Sequence, residues 1–349
     1  MSKPNFGGLD WIKFIAAVLV VANHTGPLLT YSGTADFLIS NLLTRIAVPV
    51  FFMTAGFLFF RKLTDDPRKN RQALRGYMLK TGKLYAIAIL LYIPLNIYTG
   101  YFSDSFTPYS LFKDIVFDGT FYHLWYLPAL LLGLPITVLL YRKLSLKGML
   151  AAAGCLYVAG LLGDSYYGLI QGSNGIVHAY DGMFTVFDFT RNGLFYAPVY
   201  LALGALAAKG KPPARTPFAN AVLFAGSLGL MFAEGSLLHA AGMPRHDSMY
   251  VFALPATYFL FHWAMQWKVR SGKTFREWRV WIYILHPIAI VLVRGAAEAT
   301  NLEGLFIANS LFHFAAVCLL SVGMAAAAVW LIAISRKFRP ARALSSRLS

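Results

Sequence analysis

The chain has 349 residues, 58% of them hydrophobic and only 13% charged, with a formal net charge of +16 and a mean hydropathy of +0.57. Soluble domains carry about a quarter charged residues, so the composition excludes an ordinary soluble enzyme and predicts an all-α integral membrane protein. The basic excess lies in short segments between apolar stretches, with no soluble module to carry a basic face; this excludes nucleic acid as a partner and makes the lipid bilayer the expected one.

Ten stretches of about 17–25 residues are predicted as transmembrane helices. They cover residues 9–29, 37–60, 80–98, 123–141, 147–163, 192–208, 217–240, 248–267, 278–297 and 309–334. The first lacks a cleavage site of small residues, so it is expected to stay attached. Pro49 and Pro94 are candidate interruptions of the second and third. Lys and Arg alternate between the connecting loops, 25 on one side against 4 on the other, with Lys13 and Arg45 inside spans. The positive-inside rule then puts both termini in the cytoplasm. Residues 1–334 read as one transmembrane domain, and 335–349 as a basic cytoplasmic tail. Cys155 and Cys318 sit in apolar runs and read as packing residues, not as a disulfide or metal pair.

Ionisable groups within spans are costly and mark candidate sites. In the first span, LDWIKFIAAVLVVANHTGPLL, Lys13 and His24 are eleven positions apart. At about 100° per residue both share one helix face, roughly 16 Å apart along the axis. Orientation places His24 and Arg45 in the outer half and Lys13 near the cytoplasmic end. Glu234 ends the seventh span on the outside, where His123, Arg191 and Asn192 also fall. Arg45 and Glu234 are candidates for a buried ion pair. Asp10 is expected to cap the first helix, and Asp247 to pair with Arg245 or His246. No HExxH-like spacing occurs, so no metal site is expected.

These residues carry a resemblance. The Lys13-x10-His24 pair is similar to the Arg-x10-His motif of the acyltransferase-3 family of membrane O-acyltransferases. RIAVPVFFMTAGFLFF resembles that family's second-span motif, LKTGKLY (79–85) its RxxR element, and HLWYLPALL (123–131) and WIYILHP (281–287) its fourth-span and late-helix motifs. TRNGLFYAP (190–198) and RHDSMYVFALP (245–255) resemble the membrane half of the vancomycin-resistance serine racemases, a branch of the family. The racemase domain of those proteins is not expected here, because the chain ends soon after the tenth span.

The resemblance implies transfer of an acyl group, usually acetyl, from cytoplasmic acetyl-CoA or another acyl-CoA to a hydroxyl acceptor on the outer face. The donor is a substrate, and no tightly bound cofactor is implied. A neutral imidazole near pKa 6.5 can take the hydroxyl proton as attack proceeds, which is the role expected of His24. Lys13, Lys80 and Lys83 are the cations for the coenzyme A phosphates. Arg45 is the candidate oxyanion donor and Glu234 the group that orients the imidazole. His123, Trp125, Arg191, Asn192, Tyr283 and His286 are the candidate substrate-binding residues. Lysine at 13, 80 and 83 departs from the family's arginines and loses the bidentate fork. Pro49 and the LPALL run stand where many members have carboxylates. The outer loop 164–191 is long enough to help choose the acceptor. A transporter, or a module feeding a small molecule such as serine, is the alternative. Acceptor identity and oligomeric state are not encoded in these motifs.

Overall fold

The computed structural model describes residues 6–103, 106–211 and 213–337; the predicted basic tail from residue 338 onward lies outside them. Among the described residues there is no strand. The α-helices are α1 (Gly7–Thr25), α2 (Gly33–Asp36), α3 (Ala47–Phe60), α4 (Pro67–Tyr98), α5 (Pro108–Lys113), α6 (Tyr126–Lys143), α7 (Leu146–Leu162), α8 (Asn174–Phe184), α9 (Ala197–Lys209), α10 (Pro217–Ala240), α11 (Ala253–Met265), α12 (Lys273–Ala299), α13 (Glu303–Phe306) and α14 (Ser310–Lys337).

Each of the ten predicted stretches contains helix. By length and composition, however, seven helical stretches qualify as membrane-crossing: Gly7–Thr25, Gly33–Phe60, Pro67–Tyr98, Tyr126–Lys143, Pro217–Ala240, Lys273–Ala299 and Ser310–Ser335. The remaining three, α7, α9 and α11, have 17, 13 and 13 residues. The third span starts at residue 67 instead of 80. Asp66 caps it, accepting from the Arg68 N–H at 2.8 Å, and Pro67 stands where its missing N–H costs nothing. Pro94 lies inside α4 without ending it. The second span is interrupted nearer its start. A π-helical turn (Phe37–Leu42) and a 3-10 turn (Leu43–Ile46) precede α3. Pro49 has no N–H to offer the Arg45 carbonyl, so the regular ladder cannot run back through this point.

The chain forms two compact units, residues 1–40 with 267–349, and 41–266. In the first, α1, α12 and α14 pack against one another. Gly26 ends α1 in the left-handed conformation (φ 56°) and returns its N–H to the Ala22 carbonyl. The following turn is tied to the start of α14 by Thr30 and Ser310, whose hydroxyls lie 2.8 Å apart.

In the second unit the core is built from α3, α6, α7 and α9, with Phe52, Phe60, Tyr157, Tyr200 and Leu201 fully buried. α3 and α9 meet backbone to backbone. A Cβ on Gly56 would lie 2.4 Å from the Leu201 carbonyl oxygen, and one on Gly204 2.2 Å from that of Met53. Small residues at a crossing let helices approach this closely. Gly204→Ala is therefore expected to push α9 off α3 and destabilise the protein by about 1–3 kcal/mol. Thermal unfolding in detergent checks this, with Gly226→Ala, which meets nothing within 4 Å, as the neutral comparison.

Candidate functional site

In the first unit, α1 and α12 carry two polar groups at different heights. The lower one centres on Asp10. α1 starts at Gly7 with no side-chain cap, so Asp10 lies in the first turn and does not cap the helix as expected. Its carboxylate instead collects charges. Ser271 Oγ and Arg279 Nη1 donate hydrogen bonds to it. Lys13 Nζ lies 3.6 Å away and Arg276 Nη1 3.7 Å away. Three cations thus share one carboxylate. Lys13 and Asp10 are buried and the Arg279 side chain is 11% exposed, while that of Arg276 is 42% exposed. Lys13, expected from sequence to meet the coenzyme A phosphates, has its ammonium paired with Asp10. A lone buried ammonium is expensive, and the i,i+3 carboxylate offsets that cost.

The upper group is a pair of imidazoles. His24, in the last turn of α1, faces His286 of α12 with ring centroids 5.3 Å apart and planes 18° from parallel. His286 is fully buried, and its Nδ1 lies 2.8 Å from the Tyr283 carbonyl. A carbonyl only accepts, so Nδ1 carries the proton. The Tyr283 ring centroid is 6.4 Å from that of His286. Lys13, His24, Tyr283 and His286 are therefore on one helix pair.

The other predicted residues belong to the second unit. Arg45 sits in the 3-10 turn, and its Nε donates to the Asn41 carbonyl at 3.0 Å. It makes no ion pair with Glu234, contrary to that expectation. Both Glu234 oxygens are taken by nearer donors: Tyr166 Oη at 2.6 Å, the Val251 N–H at 2.6 Å and the Phe252 N–H at 2.9 Å. This carboxylate fixes the entry to α11, which is why α11 begins at 253 and not at 248. Asp164, wholly buried, holds the adjoining Ser248 and Met249 N–H groups at 2.8 and 2.9 Å. Burial pushes the Asp164 carboxyl up to about 6 against the pull of those bonds. Asp247 contacts His239 at 3.5 Å, not its sequence neighbours.

Asn192 is also a local brace. Its Oδ1 accepts from the Leu194 and Phe195 N–H groups, and its Nδ2 donates to the Phe189 carbonyl. Arg191 beside it stacks on Phe189 and Trp125, with Cζ 4.3 and 4.9 Å from the ring centroids. Burial, and then the like charge of Arg45, lower its pKa to about 10. His123 is buried among Tyr92, Phe121 and Tyr122. Lys80 and Lys83 are exposed on α4.

Arg191 also lines a cavity of about 310 Å³ with Asn96, Tyr101, Asp114, Asp118 and Asp188. Oxygens of the three aspartates lie within 4.8 Å of one another. Burial pushes Asp118 up to about 6, with the Asp188 charge adding to it. Lys113 Nζ, 2.8 Å from Asp188, is the internal counter-ion. No residue spacing signals this cluster, because Asp188 is separated from the other two by some seventy residues. Arg276 and Arg279 were equally missed; the R-x2-R spacing just before WIYILHP was the available signal.

A family model described as "Acyltransferase domain" matches residues 6–330. The chain is 37% identical over 345 residues to an amino-acid racemase of Enterococcus faecalis, covering 98% of this chain and 47% of that protein. It is 34% identical over 318 residues to a serine/alanine racemase of Enterococcus gallinarum, covering 90% of this chain and 45% of that one. The chain thus spans less than half the length of these curated relatives. No solved structure matches it significantly. With its long apolar helices, and with the family match running over nearly its whole length, the chain belongs to the acyltransferase-domain family of membrane proteins.

Proposed function

We propose that the chain is a membrane O-acyltransferase. It takes an acyl group, acetyl in the simplest case, from acyl-CoA on the cytoplasmic side and delivers it to a hydroxyl of a cell-envelope molecule outside. The observation that carries this reading is the helix pair α1–α12, with an imidazole at one height and a polycationic cradle at the other. The separation of roughly 16 Å between Lys13 and His24 suits an extended pantetheine arm. In this scheme the phosphates meet Arg276 first, as the most exposed cation of the cradle. Lys13 and Arg279 supply field from behind, and Asp10 keeps all three in place. His24 takes the proton of the acceptor hydroxyl as its oxygen attacks the thioester carbon.

The test is free-thiol release from acetyl-CoA by the purified protein in lipid nanodiscs, with and without hydroxyl acceptors. Thioester consumption above empty discs, stimulated by an acceptor, supports the reading. Acetyl-CoA that neither binds nor turns over sinks it.

A second reading, a module that takes up or feeds an amino acid, is favoured by the cavity that Arg191 lines. It sets the Arg191 guanidinium against three carboxylates, a polarity that suits a zwitterion. The curated relatives are named as amino-acid and serine/alanine racemases. Labelled-serine uptake into proteoliposomes that Arg191→Ala removes would favour it; uptake equal to protein-free vesicles would not.

A further inference from the structure

α4 has 32 residues, or about 48 Å of helix against a hydrocarbon core of about 30 Å. All of its charged side chains lie between Arg68 and Lys83, so its start is the end that leaves the hydrocarbon. α6 packs against α4 and closes with Arg142 and Lys143. Between the two helices at that end is a cavity of about 230 Å³. Arg71 and Arg142 line it, and so do Leu74 and Val138, one turn along each helix towards the membrane. The cavity therefore has a cationic rim and an apolar floor. Both guanidiniums are exposed, and among the described residues neither has a carboxylate within ion-pair distance. Asp66, close in sequence, is spent on the Arg68 and Lys69 N–H groups and meets the Lys69 ammonium at 3.9 Å. The turn that brings Leu63 to the same cavity is held by the protein itself. The Thr64 N–H donates to Asn70 Oδ1 at 2.9 Å, Asn70 Nδ2 donates to the Thr64 carbonyl at 2.7 Å, and Lys209 Nζ to the Leu63 carbonyl at 2.8 Å.

We propose that this cavity binds one anionic phospholipid from the leaflet at the basic end of the helices. Its phosphate sits between Arg71 and Arg142, and the start of one acyl chain lies over Leu74 and Val138. The order of polarity along the cavity, charge at headgroup depth and hydrocarbon below it, is that of a phospholipid. Guanidinium forks match phosphate oxygens, and basic pockets between helices at this depth suit anionic headgroups. A zwitterionic lipid brings its own cation to a rim that already holds two, so it binds less well. A soluble organic phosphate satisfies the arginines but leaves the apolar floor uncovered. The cavity is far smaller than a whole phospholipid, so the rest of both chains stays in the bilayer. The bound phosphate bridges α4 to α6 where their like charges would otherwise repel. Nothing in this depends on the acyl-transfer reading.

Native mass spectrometry of the purified chain in detergent, titrated with phosphatidylglycerol or phosphatidylcholine, counts the lipid retained. One phosphatidylglycerol is expected to bind at least severalfold more tightly than phosphatidylcholine. Arg71→Ala with Arg142→Ala should weaken it by about tenfold or more. Lys69→Ala with Lys143→Ala removes the same charge from the same two helix ends, but from residues that do not line the cavity. That pair should weaken binding by less than about twofold, since only the diffuse surface charge changes. Arg71→Lys with Arg142→Lys keeps the charge without the forks and should fall between. All six positions are exposed, which keeps the fold out of the comparison. Two competitors separate the sources of phosphate. Glycerophosphoglycerol, the same headgroup without chains, should not displace the lipid at equal concentration, and neither should coenzyme A. Equal losses in the two alanine pairs, or no preference over phosphatidylcholine, would reduce the effect to general surface charge and overturn the site. Displacement by coenzyme A would assign the arginines to the acyl donor, and displacement by the bare headgroup would leave the apolar floor without a role; either result overturns the lipid.

Discussion

Asp10→Ala is expected to be the most destabilising single substitution in the first unit, by about 3–5 kcal/mol. Removing the carboxylate leaves buried Lys13 and largely covered Arg279 without their counter-ion, and takes the Asp10 acceptor from Ser271. Arg276 adds less to the penalty, since a side chain 42% exposed is screened by solvent. The effect should be strongly non-additive. In Asp10→Ala combined with Lys13→Met, the second change removes one of the stranded charges, so the double variant should melt above Asp10→Ala alone. Thermal unfolding in detergent measures both. If Asp10→Ala melts within a degree or two of wild type, the cluster is solvated and does not hold α1 to α12. Asp10→Asn offers a graded case: it keeps an acceptor for Ser271 but not the charge, and should fall between.

How far the site could be read from sequence depended on distance along the chain. His24 and Lys13 share one helix, and helical periodicity alone put them on one face. His286 was visible inside WIYILHP, but its meeting with His24 joins residues more than 260 positions apart. Periodicity says nothing about such pairs. The partners of Glu234 failed for a different reason. Two of its three hydrogen bonds come from main-chain N–H groups, which every residue carries, so no side-chain pattern could distinguish a capping carboxylate from a catalytic one. Asp10 was misread because the helix begins at Gly7, so the residue that looked like a cap lies in the first turn. Hydropathy located all ten apolar stretches but not their lengths. The start of α4 was set by Asp66 and Pro67 in a charged segment, outside the window that hydropathy detects. The break before α3 follows from Pro49, a signal that was present in the sequence.

His24→Ala should abolish acyl transfer while leaving the fold intact. Removal of a positioned general base typically costs about 10²–10⁴-fold in rate. His24 is half-buried in the last turn of α1, and Gly26 closes that helix through the Ala22 carbonyl without help from the imidazole. The helix end should therefore survive, and the melting temperature should stay close to wild type. The loss belongs in kcat, because the donor phosphates in this scheme are held by the cradle at the other height, so KM for acetyl-CoA should change little. Arg276→Ala should show the converse, a raised KM with kcat largely kept, since it removes a contact made equally in the ground and transition states. The two variants together test the division of labour along α1 and α12. If His24→Ala raises KM and spares kcat, the imidazole is a binding group and not a base. If both variants lose kcat alike, the two heights do not work as separate donor and chemical sites.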